Sequence, residues 1–404
     1  MMISAVPSTG LVEVSDLDEI STNQLSKANL RSYRLKTEQW NVDARGSALR
    51  YSTHGALRYF GKFPPQIGSY LLSQYSDHNA YVVDPFCGSG TLAVDAILQE
   101  RTIFCSDVSP LSILITKAKT SHIDYSLALE ALEKVTQKVR RLNIADDFRD
   151  IPQNVIRWFL PSTLSSIIKI KIAIGLCCND EKIKTLFLCS LAAIIRTVSL
   201  GTNQQGRLFK DIESAVPDAL EHFLKKTKLN IRQASSLPPL GNVFVSQATA
   251  GEIKFATKPD LAVLHPPYFN SYKYSTVYVL ELGILGIDRS SIKNLEVRES
   301  FKMGAKARID HYLEDMVRVL KNVTSQMKPN GKISLIIGDT ILLGEYQPVL
   351  SKLLEAIAPQ GFEVEKLAIR RPKHSEATWV ASQRRSRDSL GNTISDYVAI
   401  LSRK

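Results

Sequence analysis

Cysteine is scarce in this chain of 404 residues: Cys87, Cys105, Cys177, Cys178 and Cys189 are odd in number and show neither a CxxC pair nor the spacing of a zinc site. That argues against a disulfide scaffold and for reduced, mostly buried thiols. Long apolar runs are missing as well, and none approaches the about 20 residues of a spanning helix, so no membrane segment is expected. The opening stretch MMISAVPSTGLVEVSDLDEI lacks the basic and apolar regions of a signal peptide, which leads us to expect a cytoplasmic protein. Internal repeats and low-complexity tracts are absent. No GK[ST] follows the Gly-rich loop, which argues against P-loop phosphate transfer.

What is present suits a soluble globular protein. Hydrophobic residues make up 44% and charged residues 23%, enough apolar surface to offset the ordering entropy of a folded chain. At about 150 residues per domain the length allows two to three units. The net charge of +11 predicts attraction to polyanions, although charge alone does not separate nucleic acid from a membrane surface.

Residues 1–45 are polar and irregular and read as an arm laid over the surface. Tyr81-Val82-Val83 is a short apolar run closed by Asp84-Pro85-Phe86, then a Gly-rich turn, then Leu92 to Leu98 at helical spacing. Arg101 to Asp107 repeats the pattern, and Pro110 opens another helix. Strands alternating with helices imply a parallel α/β sheet. Between residues 126 and 236 the texture is helical, with stretches at Leu127–Leu142, Ile167–Leu176 and Ile183–Val198, so we expect an inserted helical subdomain between two catalytic segments, 46–125 and 237–404. Alternation resumes at Asn242–Val245, Leu261–Leu264 and Lys332–Ile337, with a helix from Ile309 to Met327 before the last. Gly361–Ile369 and Tyr397–Leu401 read as two strands that pair as an antiparallel edge.

Asp84-Pro85-Phe86-Cys87-Gly88-Ser89-Gly90-Thr91 sits at the carboxyl end of a strand, where open α/β sheets bind ligands. Its glycines let backbone approach a ligand closely. Asp107, at the end of the next strand, is placed to accept hydrogen bonds from ribose hydroxyls. Taken alone, Gly88-x-Gly90-x-x-Ala93 also fits a dinucleotide fingerprint, which keeps an NAD reading open. Past a second apolar strand, His265-Pro266-Pro267-Tyr268 sets two prolines, rigid and without N–H donors, before an aromatic ring.

The first of these loops resembles motif I of the S-adenosylmethionine-dependent DNA amino-methyltransferases, usually DPF-x-G-x-G-T. The second is similar to their catalytic tetrapeptide, Asp, Asn or Ser followed by PP and an aromatic, with His265 as the departure. The resemblance implies a Rossmann-like class I methyltransferase fold, a mixed seven-stranded sheet and S-adenosyl-L-methionine as cofactor. Phe63 and Pro64, within a segment similar to motif X, would lie at the methionine end of that cofactor. Asp84, Phe86, Cys87, Gly88, Ser89, Gly90, Thr91 and Asp107 would form the rest of its site, with Gln247 at the adenine amine. His265 and the carbonyl of Pro266 would accept the N–H groups of the target amine, beside Pro267, while Tyr268 stacks on an extruded base. A neutral imidazole has one acceptor nitrogen for that task. Cytosine N4 is preferred over adenine N6 as the target.

Arg370, Arg371, Lys373, Arg384, Arg385 and Arg387 cluster in a C-terminal loop suited to phosphate contacts, against the alternative of a solvated surface loop. The resemblance implies DNA as partner, with restriction or defence proteins as further candidates. Two alternatives stay open: a catalytically inactive methyltransferase-like subunit that binds nucleic acid, and an RNA base methyltransferase. No metal is expected.

Overall fold

The structure is a computed structural model, which describes residues 12–42, 46–144, 148–201, 208–239, 242–269, 274–297, 309–342, 345–370 and 396–404. The chain begins with β1 (Val12–Ser15), α1 (Glu19–Lys27), β2 (Thr37–Val42) and α2 (Pro65–Tyr75). Asp18 caps α1 by accepting from the Ser21 N–H at 2.8 Å. Two strand–turn–helix units follow, β3 (Tyr81–Asp84) with α3 (Thr91–Leu98) and β4 (Thr102–Asp107) with α4 (Pro110–Thr120).

A helical stretch comes next: α5 (Tyr125–Arg141), α6 (Gln153–Ile156), α7 (Pro161–Cys177), α8 (Glu181–Ile194) and α9 (Ala219–Ser235). On α5 the buried residues Ala128, Leu132, Val135 and Val139 recur every three or four positions, so one stripe of the helix is apolar and the rest is solvated. The stripe joins a core cluster that also contains Leu111, Ile115 and Ala118 of α4, so the helical region is packed onto the sheet's own covering layer.

The chain then alternates again through β5 (Val243–Gln247), β6 (Leu261–Leu264), α10 (Tyr274–Val277), α11 (Val279–Leu285), α12 (Arg289–Lys293), α13 (Ile309–Gln326) and β7 (Lys332–Gly338). It closes with the small hairpin β8 (Thr340–Leu342) and β9 (Glu345–Gln347), then α14 (Val349–Ile357), β10 (Phe362–Arg370) and β11 (Asp396–Arg403).

The main sheet has the order β1-β2-β10-β11-β7-β6-β3-β4-β5. From β5 to β7 every neighbouring pair is parallel, and β11 runs antiparallel between β7 and β10. This is a Rossmann-like, doubly wound α/β order with one antiparallel strand, β11, inserted beside β7, and helices cover both faces. Every residue of β6 is buried, which is why its sequence reads as one apolar run rather than an alternation.

Two details differ from the expectation. The sheet has nine strands rather than seven, because the polar arm supplies β1 and β2, and β2 pairs parallel to β10. Burial of Leu25, Leu30, Trp40 and Val42 ties this arm to the core, while Glu13, Val14 and Ser15 of the edge strand β1 are exposed. The antiparallel pair β10–β11 is consequently internal, not an edge.

Candidate active site

β3 and β6 are adjacent, with Val82 opposite Leu261 and Val83 opposite Ala262, while β4 lies on the other side of β3. The chain thus departs in opposite directions from the middle of the sheet, which opens a crevice at the strands' carboxyl ends. The loop after β3 and the turn after β6 both open onto it. A cavity of about 480 Å³ occupies this place, lined by residues 85–89 and Thr91 on one side and by His265 and Pro267 on the other. Residues 107–109 at the end of β4, 248–252 after β5, and Asp315 and Arg318 of α13 also line it.

Close approach in the loop requires glycine. Gly88 has φ +50°, and a Cβ there would lie 3.1 Å from the Tyr59 ring; Gly90 has φ +65°, and its Cβ would meet Thr116 at 2.8 Å. Below the loop, fully buried Lys119 donates from Nζ to the Ser89 carbonyl at 2.6 Å. Burial pushes this ammonium down to about 7, with Lys62 adding repulsion. The segment before α2 is tied down in the same way: buried His54 lies 3.3 Å from Asp95 of α3, to which Tyr51 also donates. Burial pushes His54 down to about 4.

Asp107 accepts from the Gly88 N–H at 3.0 Å and from the Ser109 N–H at 2.9 Å. A carboxylate offers about four acceptor positions, so capacity remains for hydroxyl donors in the cavity. Burial pushes Asp107 up to about 6 against the pull of those two N–H groups. Lys62 lines the same cavity, donates to the His54 carbonyl at 3.1 Å and is pushed down to about 8 by burial and by neighbouring Arg50 and Lys226. Tyr59 forms an aromatic wall, near-parallel to Tyr274 at 5.6 Å and to Tyr278 at 5.0 Å.

At the turn, His265 Nε2 lies 3.3 Å from the Tyr268 hydroxyl, and the His265 ring meets Phe63 edge-on at 5.2 Å. Tyr312 of α13 donates its hydroxyl to the Pro267 carbonyl at 3.0 Å.

Residues 12–119 match the family model described as DNA methylase. Over that segment the chain is similar to the DNA amino-methyltransferases, and the curated relatives it resembles are type II DNA methyltransferases. It is 24% identical to type II methyltransferase M.MvaI of Kocuria varians over 284 residues, covering 63% of this chain and 62% of that protein. Type II methyltransferase M.MjaII of Methanocaldococcus jannaschii is 25% identical over 232 residues, covering 54% of this chain and 43% of its own length. The matches thus span less than two thirds of these relatives. Among solved structures, TrmN from Thermus thermophilus superposes with a TM-score of 0.35 at 13% identity, over 88% of this chain and 53% of that one. The fold assignment rests on strand order, not on that superposition.

The amino-methyltransferase match takes in the cofactor loop and Asp107 and ends before His265. Of the residues expected to hold cofactor, Phe63, Phe86, Cys87, Gly88, Ser89, Thr91 and Asp107 line the cavity. Pro64, Asp84 and Gly90 are buried and do not line it: Asp84 accepts from the Phe86 N–H at 3.2 Å, and burial pushes it up to about 7. Gln247 is not among the lining residues. Its exposed carboxamide donates to the carbonyl of Val108, a lining residue, at 3.1 Å. Burial holds the Cys87 thiol well above its ordinary value, which fits packing rather than nucleophilic work.

His265 and Pro267 line the cavity; Pro266 is buried and Tyr268 half-buried beside it. Arg370 departs from the expected phosphate contact, since it is buried and faces Asp396 at 3.6 Å across the β10–β11 pair. Arg371, Lys373, Arg384, Arg385 and Arg387 lie outside the described residues. Tyr59 and Lys62 fall inside the segment similar to motif X, without a role of their own there, and sequence does not single out Lys119 or Tyr312: a lysine near a helix end and a tyrosine on a helix carry no pattern that separates them from surface and core.

Proposed function

We propose that the protein transfers a methyl group from S-adenosyl-L-methionine to an exocyclic amine of a DNA base, cytosine N4 in preference to adenine N6. The observation that carries this reading is the single cavity onto which the Gly-rich loop and the His265–Pro267 turn both open.

The residues fit the cofactor. The glycine positions admit backbone where a Cβ would collide, Asp107 keeps acceptor capacity for ribose hydroxyls, and Lys62 offers a cation for the methionine carboxylate. When bound there, S-adenosylmethionine supplies an electrophilic methyl group. The protein's part is to present the nucleophile. An exocyclic amine is a poor one, since its lone pair is delocalised into the ring. Acceptors that hold both N–H groups orient the nitrogen and withdraw proton density from it. His265, through a ring nitrogen, and the carbonyl of Pro266 take these roles, and Tyr268 offers a stacking face to a base that has left the helix. The surplus of positive charge draws the DNA phosphates, and a site of action in the cytoplasm, within a restriction or defence setting, accords with this. No helix among the described residues is long and apolar enough to cross a membrane.

Transfer of tritiated methyl groups to unmethylated mixed-sequence DNA, with RNA as a competing substrate, tests the reading. Incorporation into DNA that is abolished in His265→Ala supports it; incorporation into RNA alone overturns the choice of substrate.

A further inference from the structure

The catalytic turn has an unusual mechanical problem. Two consecutive prolines provide no N–H groups, so neither Pro266 nor Pro267 can donate a backbone hydrogen bond to tie the turn to its surroundings. Their rings fix both φ angles near −65°, which leaves the two ψ angles to decide where the carbonyls point. Only the acceptors remain available for anchoring, and an anchor must come from a donor elsewhere.

Tyr312 is that donor. Its hydroxyl lies 3.0 Å from the Pro267 oxygen, and the residue is fully buried. The ring packs against buried Phe269 at 5.5 Å with an interplanar angle of 58°, so the hydroxyl is held in place by the residue that follows the tetrapeptide. Further along α13, Met316 and Leu320 sit in the same core as the strands β6 and β7, which makes the helix a rigid mount. Tyr312 does not line the cavity, so deleting its oxygen alters no surface a ligand meets.

We infer that Tyr312 is a positioning residue for the catalytic turn, fixing the Pro267 peptide so that the acceptors at His265 and Pro266 hold a constant direction toward the target amine. The inference rests on the reading given under Proposed function. It separates ordering of the turn from binding of either substrate, because the hydroxyl touches neither.

Tyr312→Phe keeps the ring and removes the oxygen. Two readouts decide the matter. Amide hydrogen exchange of the peptide spanning residues 264–274, followed by mass spectrometry in the ligand-free full-length protein, is expected to quicken by about five-fold or more, with peptides from β3 and β4 unchanged. Single-turnover methyl transfer to unmethylated mixed-sequence DNA is expected to fall on the order of 5- to 30-fold, the range that loss of a buried hydrogen bond corresponds to, while the dissociation constants for S-adenosylmethionine and DNA stay within about two-fold. Leu320→Ala serves as the packing control: it lowers the melting temperature without the local exchange signature.

Exchange and transfer rates both within about two-fold of wild type in Tyr312→Phe would overturn the inference. So would a rise in exchange spread over the whole chain as in Leu320→Ala. A wild-type protein that transfers no methyl group refutes the functional reading instead, and the exchange measurement still decides whether Tyr312 orders the turn.

Discussion

Lys119 and Ser89 meet beneath the Gly-rich loop, the ammonium donating to the carbonyl at 2.6 Å with both residues buried. A buried lysine is costly to keep charged, and this one spends its donor on the backbone that lines the cavity.

Replacing Lys119 with Met keeps most of the volume and removes the donor. Hydrogen bonds to charged groups are worth about 1.5–3 kcal/mol, so affinity for S-adenosylmethionine is expected to drop by about ten-fold or more, read by titration calorimetry. The substitution also changes stability against pH. Burial lowers the folded-state value of this amine from 10.5 to about 7, so between those limits the unfolded chain holds more protons and wild-type stability rises with pH. Urea denaturation across that window should show a shallower slope in the variant.

Asp107 predicts a pH dependence of cofactor binding. Its carboxyl is pushed up to about 6, chiefly by burial, and only the ionised form offers all its oxygens as acceptors. Affinity for S-adenosylmethionine should therefore climb as the pH rises through about 6. Asp107→Asn should bind weakly and without that step, and a pH-independent wild-type affinity would remove this role for Asp107.

Gly90 and Gly361 separate collision from backbone strain. Both have positive φ, +65° and +75°, but a Cβ meets Thr116 at 2.8 Å at Gly90 and nothing within 4 Å at Gly361. Gly361→Ala should cost about 1 kcal/mol, the αL penalty alone, and Gly90→Ala clearly more, compared by chemical denaturation.

Arg196 and Glu281 form a buried pair at 2.9 Å between the residues after α8 and helix α11. Arg196 also lies over the Phe60 and Tyr278 rings, next to the aromatic wall of the cavity. Arg196→Met strands a buried carboxylate and should destabilise by about 3–5 kcal/mol, whereas Arg196→Met with Glu281→Leu should recover much of the loss. A double-mutant cycle in urea measures the coupling.

Much of the fold is legible from sequence because its signals are local. β3, β4 and β6 are short apolar runs that end at turn residues, and the parallel strand β6 is apolar throughout. The Gly-rich loop is legible from Gly88 and Gly90, both of which adopt positive φ. The arm escapes notice because β1 and β2 carry polar residues on their outward faces and owe their pairing to β10, which lies more than 300 positions away in the chain. Gln247, the last residue of β5, donates to the carbonyl of Val108, itself a residue of the cavity wall, a contact that its place in the sequence does not disclose. Tyr312 and Lys119 are legible only in three dimensions, since each acts on backbone atoms that no residue pattern reveals.

The role proposed for His265, on the wall of the cavity, is to hold a DNA amine for methylation. Nucleoside mass spectrometry of DNA from methylation-deficient cells expressing the protein tests it most directly, with His265→Ala expressed alongside. N4-methylcytosine is expected in the first culture and none in the second. Modified base at equal levels in both cultures, or neither N4-methylcytosine nor N6-methyladenine in the first, would contradict it.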